Sequence, residues 1–268
     1  MGALRRLSEL ARRCRRPAGF VDSSTSGGGM TDFDNQRVVI AGAAGGIGLQ
    51  VTALLAEAGA ALHLLDIRDP AQAQATNAGR GGVASVHRCN VASRAEVDAI
   101  AARIGPVDVL VDAAGIWPQD DWMAADWDAA FDRVIDVNLR GPINLVRAFM
   151  PAMIERRYGR IVLCGSIAGW AGGLMSSPHY VASKGGIHAL VRWFAQQATP
   201  HGVCVNGVAP GPVVTPMTEG AHHDLNRFPL GRLAEPREVA HAMRFLCSRE
   251  ASYLSGTVVD VNGGIYMR

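Results

Sequence analysis

Lysine is all but missing from this 268-residue chain: of its 26 basic side chains, only Lys184 is one. Long apolar runs are missing as well. No stretch approaches the roughly 20 residues needed to cross a bilayer, so the sequence gives no reason to expect a membrane partner. Aromatic side chains are scarce, at 6%, which leaves packing to alanine, glycine and the branched aliphatics, as between helices and a parallel sheet. Paired cysteines are absent too. The five (Cys14, Cys89, Cys164, Cys204, Cys247) are odd in number and form no C-x-x-C spacing, which argues for a reducing compartment over a disulfide scaffold. Finally, a basic footprint is lacking. The net charge is +2, but six arginines against Glu9 and Asp22 put +4 in residues 1–30, leaving −2 for the rest. A mildly acidic body excludes nucleic acid as the expected partner.

Residues 1–30 do not read as part of a fold. Leu4, Leu7, Leu10 and Cys14 fall at helical spacing among arginines, as in a mitochondrial transit peptide. Ser23 to Gly29 reads as a disordered linker, and Met30 offers a second start. No apolar segment follows the arginines, so a secretory signal is not expected. Preference for arginine over lysine fits a GC-rich bacterial genome. The expectation is a bacterial cytoplasmic protein with a dispensable extension, with a mitochondrial location as the alternative. Residues 31–268 are expected to form one domain.

What is present is alternation. A short apolar run at 37–41 reads as a buried strand, a run at 61–66 as the second, and strand signals recur at 83–88, 107–111, 160–164, 203–208 and 257–261. Helical patterns lie between them, near 93–104, 123–150, 178–199 and 236–247, with a further one through Leu54, Leu55 and Ala58. This predicts a single α/β Rossmann-type domain: a doubly wound parallel sheet of about seven strands with helices on both faces. The first strand runs into Gly42-x-x-x-Gly46-x-Gly48, and a helix follows. Strand, glycine turn and helix N-terminus together suit a pyrophosphate. Asp66 ends the second strand 24 positions after Gly42, near the spacing of an acid that grips a ribose. His63 inside that strand reads as a packed histidine.

Lys184 itself lies four residues after Tyr180. On a helix the two share a face, and a cation beside a phenol favours the phenolate. Such a pair is weak alone and gains weight from its context.

That context resembles the short-chain dehydrogenase/reductase family over about 33–264. The glycine turn matches, Asp112-Ala113-Ala114-Gly115 stands where the family has Asn-Asn-Ala-Gly, and Asn138 lies in Asp136-Val137-Asn138-Leu139-Arg140-Gly141. Ser166 follows the fifth strand, and Pro210-Gly211 with Thr215 resembles the loop that closes over the nicotinamide. Phe228-Pro229-Leu230-Gly231-Arg232 and Val261-Asn262-Gly263-Gly264 resemble the C-terminal signatures. Three positions depart: Ala41 replaces a threonine, Asn90 an aspartate and Asp112 an asparagine.

The resemblance implies that Tyr180 is the general acid/base, Ser166 holds the substrate oxygen, Lys184 also binds the nicotinamide ribose, and Asn138 orders a relaying water. It implies a cofactor site made of Gly42, Ala44, Gly46, Ile47, Gly48, Asp66, Asn90, Val91, Ala113, Ala114, Gly115, Pro210, Gly211, Val213 and Thr215 with Tyr180 and Lys184. Asp66 points to NAD over NADP, since a 2′-phosphate beside it sets like charges together. The expected activity is hydride transfer between NAD(H) and a secondary alcohol or ketone. The alternatives are a 3-oxoacyl-(acyl carrier protein) reductase using NADPH and a dinucleotide sensor without turnover. A homotetramer or homodimer is expected through the helices of Asn138 and Tyr180, by apolar faces such as Leu145-Val146-Phe149 and Leu190-Phe194.

His222-His223-Asp224 lacks the further ligands a metal site needs, so no metal is expected. Trp117, Trp170, Met175, His179 and Met217 fall in segments that flank the site and read as pocket lining, whereas Trp122 and Trp127 read as helix packing.

Overall fold

Residues 33–70, 82–173 and 176–268 are described in a computed structural model; the extension expected over 1–30 and Met175 lie outside them. Every stretch read as a strand becomes one: β1 (Arg37–Ala41), β2 (Ala61–Asp66), β3 (Val83–Arg88), β4 (Val109–Asp112), β5 (Gly159–Cys164), β6 (Val203–Pro210) and β7 (Val258–Val261). All neighbours pair in parallel, in the order β3-β2-β1-β4-β5-β6-β7. The chain runs outward from β1 to β3 and then returns to place β4 beside β1. That reversal opens a crevice at the C-terminal ends of β1 and β4, where such sheets take their ligands.

Alternate side chains of each strand enter two separate cores, as the pleat requires. Val39 and Ala41 pack with α2 (Arg94–Ile104), α4 (Gly141–Arg156) and α6 (Pro178–Ala198) on one face. Val38 and Ile40 pack with α1 (Gly46–Glu57) and α7 (Pro236–Cys247) on the other. His63 is buried in β2, and burial, with Arg37 nearby, pushes its pKa down to about 4. It therefore packs as a neutral strand residue, as expected. No helix of the described residues is long and apolar enough to cross a membrane.

Two expectations change. Leu145, Val146, Phe149 and Phe194 sit in the core rather than on a free face. An amphipathic helix beside a sheet spends its apolar stripe on the sheet first, so these residues cannot also carry assembly. The helix expected near 123–150 runs without interruption over 127–156, but as α3 (Trp127–Ile135), a π-turn at Asp136–Arg140 and then α4. Pro142 has no N–H to give the Asn138 carbonyl four residues back, and the Gly141 N–H reaches the Asp136 carbonyl instead. Sequence reading also missed the short α5 (Ala168–Ala171).

The turn after β1 depends on absent side chains. Gly42 has φ +74°, and a Cβ there would lie 2.6 Å from the Ala113 carbonyl carbon. A Cβ on Gly48 would collide with the Gly42 carbonyl, so the helix can start this close to the strand only with glycine. Gly48→Ala is expected to force the turn apart at about 2 kcal/mol, lowering Tm by about 5 °C in a domain of this size. Thermal unfolding followed by circular dichroism checks this; an unchanged Tm would mean the turn relaxes freely.

Candidate active site

Ala41 hands the chain to the glycine turn, which is tied to β2 by Gly42 N–H and Ala43 N–H donating to the Leu65 carbonyl at 2.8 and 3.2 Å. Helix α1 begins without a side-chain cap, so the Gly46 and Ile47 amides have no partner among the described residues and remain available to an anion. Gly46 lies against Thr215, whose Cγ2 would be 2.6 Å from a Cβ on it. The loop after β6 is thereby brought onto the turn. The Asp66 carboxylate, buried, accepts the Ala44 N–H at 2.9 Å, the Arg68 N–H at 2.9 Å and Arg68 Nε–H at 3.3 Å. Asn90 accepts the Ala92 N–H at 3.1 Å, so one lone pair of its amide oxygen is engaged. Val91 is buried against Gly141. Open amides, glycines that admit close approach and an acid at the second strand's end fit a dinucleotide.

Beyond the turn lies a cleft of about 710 Å³. Ile47, Ala113, Ala114, Gly115, Ser166, Tyr180, Lys184, Pro210, Gly211, Val213 and Thr215, all expected at the site, line it. Gly42, Ala44, Gly46, Gly48, Asp66, Asn90, Val91 and Asn138 do not line it. Tyr180 and Lys184 are one helical turn apart on α6, as the spacing predicted, with Lys184 Nζ 5.7 Å from the centre of the Tyr180 ring. The ammonium donates to the Cys164 carbonyl at 2.8 Å. Ser166 Oγ accepts the Ala168 N–H at 3.1 Å, the first turn of α5 holding it at the cleft wall. Asn138 acts as a stitch: its Oδ1 accepts the Ile116 N–H at 2.8 Å, while Nδ2 donates to the Ile116 carbonyl at 2.9 Å and to Ser183 Oγ at 3.2 Å. Ser183 Oγ–H in turn donates to the Tyr180 carbonyl at 2.8 Å.

The pocket reading needs correction. Trp117 and Met217 do line the cleft, and Trp117 stands 6.3 Å from Tyr180 between ring centres. Trp170 and His179 do not line it. Trp170 stacks on His188 at 4.0 Å, and His179, fully buried, stacks on Trp127 at 5.0 Å. Trp127 is helix packing, as expected, but Trp122 is 57% exposed. Among the described residues no group of three or more His, Cys, Asp or Glu is placed to hold a metal.

Two supports were missed. His188 Nε2 receives the Ser166 backbone N–H at 3.5 Å. Burial first, then Lys184 and two arginines, pushes its pKa down to about 4, so it stays neutral and able to accept. Its signal was in the sequence, because Tyr180, Lys184 and His188 are spaced by four. Asp120 is the second. It pairs with His179 Nε2 at 2.9 Å, while His179 Nδ1 accepts the Tyr180 N–H at 2.7 Å. Burial opposes the Asp120 charge, but hydrogen bonds from Ser177 and His179 outweigh it and hold the carboxyl below its usual range. Nothing local marks Asp120 in sequence; it meets α6 only in the fold.

Asp112, the substitution for asparagine, is buried and accepts the Ala114 N–H at 3.0 Å. Burial raises its pKa to about 6, against the Ala114 bond and nearby Lys184. An acid held protonated in the fold destabilises once it must ionise. The penalty is absent below about pH 4, grows through pH 4–6 and is complete above. Asp112→Asn keeps an acceptor for Ala114 and does not titrate. It is expected to match the parent near pH 4 and to exceed it at pH 7.5 by up to roughly 3 kcal/mol. Urea unfolding at the two pH values checks this, and a gain equal at both would refute the titration account.

The chain as a whole is similar to known proteins. Residues 42–266 match a family model described as enoyl-(acyl carrier protein) reductase. The chain is 35% identical to the 3-oxoacyl-[acyl-carrier-protein] reductase of Staphylococcus epidermidis, over 87% of this chain and 100% of that one. It is likewise 35% identical to that of Thermotoga maritima, over 87% and 98%. Among solved structures, a 3-oxoacyl-[acyl-carrier protein] reductase with bound NAD from Brucella melitensis is 33% identical, over 88% of this chain and 93% of that one, with a TM-score of 0.81. With the Tyr180–Lys184 pair and Ser166 lining one cleft, and the glycine turn reaching it through Ile47, this chain belongs to the short-chain dehydrogenase/reductase family and is an NAD(P)-dependent oxidoreductase.

Proposed function

We propose that this enzyme reduces the ketone of a 3-oxoacyl thioester, reversibly, with NADH. The observation that carries the chemistry is the convergence of Tyr180, Lys184 and Ser166 on one cleft with apolar walls. The thioester assignment is supported by the names of the relatives, and the cofactor by the buried Asp66 carboxylate and the NAD-bound relative. A secondary alcohol oxidised by NAD is the second reading; it uses the same residues in reverse and is favoured by Asp66. A sensor without turnover has no use for the three convergent side chains.

When bound, the reduced nicotinamide supplies the hydride. Ser166 Oγ–H and the Tyr180 phenol donate to the substrate's carbonyl oxygen and fix it. As negative charge develops on that oxygen, Tyr180 transfers its proton to it. The phenolate left behind faces the Lys184 ammonium, which favours it. Asn138 serves by holding the Ile116 loop and, through Pro142, by leaving its own carbonyl without an ordinary helical donor for a relaying water. Asp66 would accept the adenosine ribose hydroxyls, Asn90 and Val91 would hold the adenine, and Ala113 to Gly115 with Pro210, Gly211, Val213 and Thr215 would hold the nicotinamide half. The bacterial relatives support a cytoplasmic setting. Assembly into a homotetramer or homodimer then falls to exposed side chains such as Trp193 on α6.

Tyr180→Phe is expected to cut turnover at least about a hundredfold, since the proton donor is lost, while NADH affinity measured by fluorescence changes little. Near-normal turnover would remove Tyr180 from its role. NADH is expected to be favoured over NADPH by at least about a hundredfold in kcat/KM, roughly two steps of 1.4 kcal/mol, and Asp66→Ala should collapse the ratio. A wild-type preference for NADPH would show that Arg68, not Asp66, sets the choice. Thioester substrates should exceed simple ketones in kcat/KM; the reverse would promote the alcohol dehydrogenase reading.

A further inference from the structure

The cleft holds a cation and a histidine nitrogen that the chemistry above does not use. Both come from the segment following Thr215, which contributes Met217, His223, Arg227 and Phe228 to the cleft wall. His223 packs edge-on against Phe228, with ring centres 6.2 Å apart, and its Nε2 is buried without a hydrogen-bond partner. A buried ring nitrogen left unpaired costs free energy that a ligand atom would recover. Among the described residues Arg227 is the one arginine lining the cleft, it is exposed to solvent, and its side chain has no ion pair or hydrogen bond.

Within the described lining neither has a partner. The one acid in its lining, Asp224, accepts the Asn226 N–H at 3.1 Å and its side-chain Nδ2–H at 3.0 Å, capping its own turn. The other cation, Lys184, is held by the Cys164 carbonyl. An unpaired guanidinium and an unpaired ring nitrogen lining one cleft match a carboxylate or phosphate oxygen pair.

We infer that Arg227 and His223 bind an anionic group of the substrate, distinct from the carbonyl held by Ser166 and Tyr180. Burial and neighbouring His222 hold His223 below the usual imidazole range, so it contributes a neutral N–H and Arg227 the charge. The inference rests on the reductase reading for what is turned over, but not for what is bound. The anion has two possible sources: a phosphate on the arm carrying the thioester, or a carboxylate at the end of the acyl chain.

Three probes separate these sources. They are 3-oxobutyryl-pantetheine, its 4′-phosphate, and a pantetheine thioester whose 3-oxoacyl chain ends in a carboxylate. Trp117 borders the cleft, so quenching of tryptophan emission reads binding whether or not a probe is reduced. One charged probe should bind at least about tenfold more tightly than the neutral one, equivalent to 1.4 kcal/mol. Its identity names the source. The advantage should shrink as salt is raised, and in Arg227→Gln and His223→Phe the charged-to-neutral ratio should fall toward one. Equal affinity of all three probes in the wild type, or a ratio untouched by Arg227→Gln, overturns the inference and leaves Arg227 a solvated side chain. Charged-selective binding without reduction of any probe would instead sink the thioester reading while the anion site stands.

Discussion

One buried ammonium organises the C-terminal ends of the central strands. Lys184 is 5% exposed, and a charge taken out of water needs partners or it costs several kcal/mol. The Cys164 carbonyl at the end of β5 supplies one. The Asp112 carboxyl at the end of β4 supplies a second, opposite charge when it ionises. Tyr180, one turn back on α6, presents its ring to the same cation. Strand ends, helix and cleft therefore share one electrostatic centre. Asp112 makes this centre more finely balanced than an asparagine would, because its charge depends on pH near neutrality and opposes the field that favours a phenolate.

Around that centre the scaffold is a set of stitches across elements distant in sequence. Asn138 holds the loop after β4 and, through Ser183, the first turn of α6. His179 and Asp120 join the same two elements a second time. His188 supports the Ser166 loop from the middle of α6, with Trp170 stacked on it and Arg268 in turn over Trp170. The side chains that line the cleft are thus fixed by neighbours outside its lining, which is how a site keeps its geometry.

How much of this could be read beforehand depended on whether the signal was local. The strands were legible because a parallel sheet is buried on both faces and writes itself as continuous apolar runs. The glycine turn and the Tyr180–Lys184 spacing were legible for the same reason, each being a short pattern with one geometry. The π-turn at Asn138 was locally written too, in Pro142, but periodicity carried the reading past it. The aromatics were not legible: Trp117 faces the cleft and Trp170 turns away, and only the packing of α5 against α6 decides which. Leu145, Val146 and Phe149 advertised an apolar face without saying whether sheet or subunit would cover it. His223 and Arg227 carry no periodicity at all, since their place follows from how the loop after β6 closes.

The strand order also bears on how the molecule comes into being. As the chain emerges during synthesis, β1, β2 and β3 are adjacent to one another and can assemble with α1 from the first third alone. Each later strand then adds at the side of β1 left open, in the sequence β4, β5, β6, β7, so every strand meets a finished edge. This limits the exposure of unpaired edges that makes long-range parallel sheets prone to aggregate. It also sets an order of competence. The glycine turn exists early, whereas the cleft of Tyr180, Lys184 and Ser166 needs residues from β4 through β6 and is complete only when most of the chain has been made.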